Sequence, residues 1–413
     1  MIPLELRDVH GLGELWSRSD WITGVEIDSR RVGRGDLFVA IGGGRAYLDD
    51  ARANGAAATL VPDDAFAAMA ALGRAVRTRS SARVVGITGS TGKTSTKDIL
   101  AALCGRVART VAAEGGHNNE IGLPLTLTRI EPDTEVVICE MGMRGIGHIR
   151  DLAQIARPDI AIVTSIGPVH LELLGTVENV ARAKAELLDA LPPGGVAIVP
   201  ERAPELEPFI PRGLDVRRFS PLEGEIRDGR AHVRVAGREV VFEFSARHQA
   251  TNAAAALHAL DALGLPFPDA PVAVAFSRWR CEESELPGGG LLINDAYNAN
   301  PTSMSAALEH LVARADGRRT VAVLGDMAEL GPGAPRFHEE IGRLARALGI
   351  DLVVGVGELA RGYDGDEWVA DTAEAASFVP RLVAPGDAVL VKGSRAVGLE
   401  VVADALAVAA VAP

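Results

Sequence analysis

The stretch Val84-Val-Gly-Ile-Thr-Gly-Ser-Thr-Gly-Lys-Thr94 decides the fold. Its first half is a short apolar, β-branched run of the kind that forms a buried strand, and its second half is a glycine turn that leads into the helical pattern Asp98–Cys104. Strand, glycine turn and helix amino terminus in this order make a cradle for phosphate, because backbone N–H groups converge there and the helix dipole favours negative charge. Gly89, Ser90, Thr91, Gly92, Lys93, Thr94 and Ser95 would line it. Lys93 would neutralise β- and γ-phosphate charge, and the Thr94 hydroxyl would hold Mg²⁺. The spacing is one residue longer than the strict G-x-x-x-x-G-K-[ST], since Gly86 stands six positions before Gly92. The expected ligand is a nucleoside triphosphate, ATP first; the bland alternative is a glycine turn beside a surface lysine.

On either side of this turn apolar segments alternate with helical patterns. Strands are expected at Val136–Glu140 and Ile160–Thr164, helices at Ile149–Ala156 and Val180–Ala190, which implies βαβ units on a mostly parallel sheet. From Val216 to Phe244 the pattern shortens to a β meander with turns at Asp228-Gly229 and Ala236-Gly237, closed by a helix over Asn252–Leu263. Upstream, Thr23–Pro62 reads as a small α/β unit and Ala65–Ser81 as a helix and linker. Beyond the boundary marked by Pro287-Gly-Gly-Gly290, strands at Thr320–Leu324, Leu352–Val356 and Ala388–Val391 alternate with helices. No G-x-G-x-x-G accompanies them, so nothing asks for a dinucleotide. The chain is therefore expected to be α/β with three domains: a small α/β domain over 1–80, a central P-loop ATPase domain over 81–287 with a mostly parallel sheet plus the meander, and a C-terminal Rossmann-like, doubly wound domain over 288–413.

A length of 413 residues exceeds what one core usually supports, and 47% hydrophobic with 23% charged residues describes a chain folded throughout. A net charge of −13 argues against nucleic acid or an anionic membrane surface as partner. It leaves a phosphate site open, because such a site is local. Cys104, Cys139 and Cys281 are far apart, odd in number and without metal-ligand spacing, and read as buried thiols of a reducing compartment. The amino terminus lacks a signal-peptide pattern, and no apolar stretch approaches the ~20 residues that span a bilayer; the alanine-rich tail after Asp404 reads as a last core helix. A cytoplasmic monomer without membrane insertion is expected.

Three further residues are candidates for chemistry. Glu140 ends a strand at the carboxyl edge where such sheets bind ligands, which suits a Mg²⁺ ligand as well as a solvated acid. His170, in the turn after the next strand, lies on the same edge, although a lone histidine is more often structural. Lys184 is the single lysine of an apolar, alanine-rich helix, where a snorkelling surface lysine is the ordinary reading.

Taken in order, Thr88-Gly-Ser-Thr-Gly-Lys-Thr94, Asn118-Asn-Glu-Ile-Gly-Leu-Pro124, Glu140-Met-Gly142, Gly167-Pro-Val-His170 and Ala183-Lys-Ala-Glu186 resemble the Mur ligases, ATP-dependent enzymes that add amino acids to the peptidoglycan precursor. The resemblance continues through His248-Gln-Ala-Thr-Asn252, Arg280, Asn294-Asp-Ala-Tyr-Asn-Ala-Asn-Pro301, Leu324-Gly-Asp-Met-Ala-Glu-Leu-Gly331 and Val391-Lys-Gly-Ser-Arg395. Tyr297–Pro301 and Gly325–Gly331 look like the branch that joins D-alanyl-D-alanine to UDP-N-acetylmuramoyl-tripeptide through an acyl phosphate.

The resemblance implies roles. Lys93, Glu140, His170 and Lys184 would be catalytic, with Thr94 and Glu140 on one Mg²⁺ and His170 and a carbamylated Lys184 on a second. Asn252, Arg280 and Asp295 would join the phosphate loop in binding ATP, Asn252 on the adenine side, Arg280 at the phosphates and Asp295 at the ribose. Asp28, Ser29 and Arg30 look like part of a UDP-substrate-binding unit; Asn118 and Asn119 also fall to the substrate, and Asn298, Asn300 and Asp326 to D-alanyl-D-alanine. A domain closure around ATP is expected. The chain departs from the family at Arg45-Ala-Tyr-Leu-Asp49, Gly147-His-Ile149 and Pro200-Glu-Arg202, the first of which bears on uridine recognition. A sibling ligase adding diaminopimelate or lysine, a folate-glutamylating relative, a non-catalytic nucleotide-binding paralogue and a P-loop kinase remain as alternatives.

Overall fold

The computed structural model describes residues 1–408. Six parallel strands form one sheet in the order Asp215–Phe219, Val196–Pro200, Ile160–Val163, Arg83–Thr88, Val136–Glu140, Thr110–Ala112. The inner strands are continuous Val, Ile and Ala runs without alternation, and Val84, Val85, Ile87, Val137, Ile138, Ile160, Ala161 and Ile162 are buried. That is the pattern of strands covered on both faces. Strand order reverses at Arg83–Thr88, so the carboxyl end of this strand opens at the switch point where doubly wound sheets take ligands.

The strand Asp215–Phe219, expected to begin the meander, instead extends this parallel sheet beside Val196–Pro200. An exposed edge strand alternates much as a meander strand does, and periodicity does not separate them. The meander proper consists of Gly224–Arg227, Arg230–Val235 and Arg238–Phe242. Its turns stand where expected: Asp228, Gly229, Ala236 and Gly237 have φ of 50°, 72°, 49° and 75°, the positive pairs that suit the twist of a two-residue hairpin.

A second six-stranded sheet runs Glu282–Leu286, Gly290–Asn294, Ala388–Lys392, Thr320–Gly325, Leu352–Val356, Glu367–Val369, parallel except for its first strand. The Pro287–Gly290 stretch, read above as a boundary, is the turn that joins the first two of these strands. Near the amino terminus a four-stranded mixed sheet has the order Gly13–Ser17, Ala58–Pro62, Asp36–Val39, Gly24–Glu26. The chain divides into two compact units, one of residues 1–165, 182–244 and 249–274, the other of 166–181, 245–248 and 275–413.

Cys104 and Cys139 are buried and free, and burial pushes both thiols up to about 12. Cys281, expected to be buried with them, is only half-buried, and it is also free. Among the described residues no helix is long and apolar enough to cross a membrane. The alanine-rich tail forms the helix Glu400–Val408, packed through Val402, Ala403 and Leu406; the residues after Val408 lie outside the described residues.

Asn300 begins the helix Pro301–Ala315. Its Oδ1 accepts the Ser303 N–H at 3.0 Å, the Ser303 hydroxyl oxygen accepts the Asn300 N–H at 3.1 Å, and Pro301 takes the first helical position. Asn300→Ala should therefore cost about 1 kcal/mol of stability in urea denaturation, with Asn300→Asp restoring most of it.

Candidate active site

The turn after Arg83–Thr88 is shaped by what presses on it. A Cβ at Gly89 would collide with the Thr164 hydroxyl, and one at Gly92, where φ is 81°, with the Asn252 carboxamide. The neighbouring strand end holds the loop: Ser90 N–H donates to Ser165 O at 2.9 Å, Thr91 N–H to Ser165 Oγ at 2.8 Å, and the Thr164 hydroxyl to Thr91 O at 2.5 Å. The helix Lys93–Cys104 starts immediately afterwards, and the Lys93 ammonium donates back to Gly89 O at 2.7 Å, across the mouth of the loop. Thr94 and Ser95 are buried in the first turn, and Ser95 Oγ accepts from Gln249 at 3.2 Å. Gln249 in turn accepts from Asn252 at 2.9 Å. Asn252 thus stands against the phosphate loop itself.

Parallel register sets Glu140 opposite Ile87, one strand from the loop. Its carboxylate is buried; Oε1 accepts from Asn118 Nδ2 at 2.8 Å, while Oε2 has no hydrogen-bond partner. A buried carboxylate oxygen without a donor is costly unless a cation or water meets it, so Glu140 fits a divalent ion. Among the described residues no three His, Cys, Asp or Glu side chains converge to hold a metal. A hard cation at Glu140 would thus complete its oxygen shell from the Thr94 hydroxyl, phosphate and water, as Mg²⁺ does.

The two asparagines make different contacts. Asn118 positions Glu140, and Asn119 Oδ1 accepts the N–H groups of Ile121 and Gly122 at 3.2 and 2.8 Å, starting the helix Gly122–Leu127.

Lys184, in the helix Val177–Asp189, is buried, and among the described residues no acceptor partners its ammonium. Burial, and then the positive charge of Lys93, push its pKa well below that of an ordinary lysine. Glu186, two residues on, caps the helix His148–Ala156 by accepting Gly147 N–H at 2.6 Å and Arg150 N–H at 3.1 Å.

The second unit holds His170, Arg280, Asp295, Asn298, Asn300 and Asp326. His170 Nδ1 lies 2.5 Å from Glu329 Oε2, a partner the sequence reading did not identify. The Arg280 guanidinium stacks 3.9 Å over the Tyr297 ring. Asp295 is paired with the buried Lys392 at 2.5 Å and accepts Cys281 N–H at 3.1 Å. Asn298 Oδ1 accepts its neighbour Ala299 N–H at 2.9 Å, and Asn298 O accepts from Lys392 at 2.9 Å. Asn300 caps a helix, and Asp326 Oδ1 accepts Ala360 N–H at 2.7 Å.

In the amino-terminal region Asp28 accepts from the backbone and guanidinium of Arg30, which pulls its carboxyl down to about 2, and Ser29 is buried in the turn they close. Arg45, in the departing segment, pairs with Glu14 at 2.5 Å.

Residues 87–260 match the Mur ligase middle domain, and residues 278–395 match the Mur ligase, glutamate ligase domain. The UDP-N-acetylmuramoyl-tripeptide--D-alanyl-D-alanine ligase of Mycobacterium tuberculosis is 34% identical over 470 residues, covering 93% of this chain and 92% of its own. The crystal structure of MurF from Acinetobacter baumannii superposes with a TM-score of 0.84 at 27% identity, covering 98% of this chain and 99% of that one. MurF ligase from Thermotoga maritima, crystallised in complex with ADP, is 28% identical with a TM-score of 0.78, over 93% and 96% of the two chains.

Removing the amide that orients Glu140 should weaken divalent-ion binding without unfolding the sheet. Asn118→Ala is expected to lower Mg²⁺ affinity by about 10–100-fold in calorimetric titrations with nucleotide present.

Proposed function

The chain belongs to the Mur ligase family, and we propose that it is the ATP-dependent ligase that joins D-alanyl-D-alanine to UDP-N-acetylmuramoyl-tripeptide, releasing ADP and phosphate. The observation that carries this reading is the near full-length likeness to ligases named for that reaction, borne by a chain whose phosphate loop and buried Glu140 suit phosphoryl transfer. In the reaction the tripeptide carboxylate takes the γ-phosphoryl group of ATP. The amine of D-alanyl-D-alanine then attacks the acyl carbon, and the tetrahedral intermediate collapses to amide and phosphate. Free thiols and the use of ATP favour a cytoplasmic setting for this chemistry.

The residues of the first unit serve the phosphoryl step. The loop N–H groups and Lys93 would hold the triphosphate, with Asn252 beside them; Thr94 and Glu140 would hold Mg²⁺. Mg²⁺, when bound, supplies charge neutralisation at the phosphates. Lys184 is suited to carbamylation. Its depressed pKa favours the neutral amine, which adds to CO₂ as an N–C bond forms and a proton passes to water. The product is an anion with two oxygen donors, able to ligate a second Mg²⁺. Carbamylation therefore increases as pH rises through the lowered pKa and fails below it, where the amine is protonated.

In the second unit His170 is our candidate for another metal ligand and Arg280 and Asp295 for the nucleotide, with Asn298, Asn300 and Asp326 on the dipeptide side. Asp28, Ser29 and Arg30 are our candidates for the uridine end.

Purified protein with ATP and Mg²⁺ should release phosphate only when both UDP-N-acetylmuramoyl-tripeptide and D-alanyl-D-alanine are present, and the product mass should be that of the amide. Turnover with a free amino acid in place of the dipeptide would reassign the chain to a sibling activity. Lys93→Ala should lower kcat by roughly 10²–10³-fold. Lys184→Ala should lose activity and regain part of it with a short carboxylic acid; undiminished turnover would sink the carbamate.

A further inference from the structure

The stretch Gly325-Asp-Met-Ala-Glu-Leu-Gly331 marks the branch by resemblance and offered Asp326 for the dipeptide, and its glutamate engages a histidine 159 positions away. We propose that Glu329 is the positioning residue for His170, fixing the imidazole with its proton on Nδ1 so that Nε2 is the atom that ligates a divalent ion. This rests on the reading of His170 as a metal ligand.

Both residues stand in left-handed backbone, His170 at φ 52° and Glu329 at φ 62°, where non-glycine residues are uncommon. Two such conformations facing one another are held from outside. Glu172 N–H donates to Glu329 O at 3.2 Å, and Gly331, at φ 61°, lies so close to the short helix Leu171–Leu174 that a Cβ there would come within 3.1 Å of Glu172 Cα. The far side of the loop is fastened as well. Met327 N–H donates to His338 Nε2 at 2.9 Å, Ala328 N–H to Ser394 Oγ at 2.8 Å, and Ser394 N–H to Asp326 O at 3.0 Å.

Stability gives little reason for this arrangement. The Glu329 side chain is 54% exposed, and exposed ion pairs contribute little to folding. Orientation gives a better one. A histidine that ligates through one ring nitrogen commonly donates the other N–H to a carboxylate, which fixes the tautomer and raises the basicity of the ligating nitrogen. The contact between His170 Nδ1 and Glu329 Oε2 at 2.5 Å has that form.

The test uses the full-length wild type, Glu329→Ala, Glu329→Gln and His170→Ala, each titrated with Mn²⁺ in the presence of a non-hydrolysable ATP analogue and read by electron paramagnetic resonance of the free ion. The wild type should show two classes of site and His170→Ala should lose one. Glu329→Ala should weaken that same class by about 10–100-fold and leave the other unchanged. Glu329→Gln, whose amide oxygen still accepts from Nδ1–H, should fall between. If His170→Ala retains both classes, the metal reading of His170 fails and the proposal with it. If His170→Ala loses one class while both Glu329 variants bind Mn²⁺ like the wild type, the positioning role alone is overturned. A misfolded Glu329→Ala would lower both classes, and the near-isosteric Glu329→Gln then decides.

Discussion

Where the strand Arg83–Thr88 turns into the helix Lys93–Cys104, the backbone passes so close to Thr164 and Asn252 that neither Gly89 nor Gly92 has room for a side chain. The proposed chemistry depends on that approach. It is followed at once by a helix whose positive end faces the turn, and Lys93 reaches back across the opening. The neighbouring strands follow from it. The hydrogen bonds from Thr164 and to Ser165 fasten the loop on one side, and parallel register on the other side sets Glu140 at the height of Ile87. A carboxylate and a phosphate cradle are thus placed by the pairing of strands rather than by flexible segments.

Those strands were legible in the sequence because each is a closed, uniformly apolar run, and the glycine turn was legible because few other structures need that composition. What escaped was pairing. Asp215–Phe219 has the alternation of a meander strand but pairs with Val196–Pro200, and Pro287–Gly290 has the composition of a linker but turns a hairpin. The first depends on a partner about twenty residues upstream, and the second lies within thirteen residues but shares its glycine-rich composition with linkers. The same holds within the site. Lys93, Thr94 and Glu140 announce themselves through position at a strand end or helix start, whereas Asn118 acts by donating to Glu140 and Glu329 by meeting His170.

The motifs that point to one branch of the family carry structural duties in this chain. Asn300 caps a helix, Asp326 accepts a backbone N–H from Ala360, and Asp295 is held by the buried Lys392. An atom engaged in this way is available to a ligand only if the bond is shared or broken, and breaking a bond to a buried cation is expensive. In this structure these residues fix the shape of their loops.

Lys184 carries the argument furthest. A buried ammonium with no acceptor among the described residues is an unfavourable state, and the positive charge of Lys93 makes it more so. Burial, the larger cause, opposes a charge of either sign, but the repulsion from Lys93 would become an attraction if the side chain were an anion. The carbamylation proposed above would bring that reversal without a substitution. An aspartate or glutamate at this position could carry a negative charge as well, but would not reach as far as a carbamate on the end of a four-carbon stem.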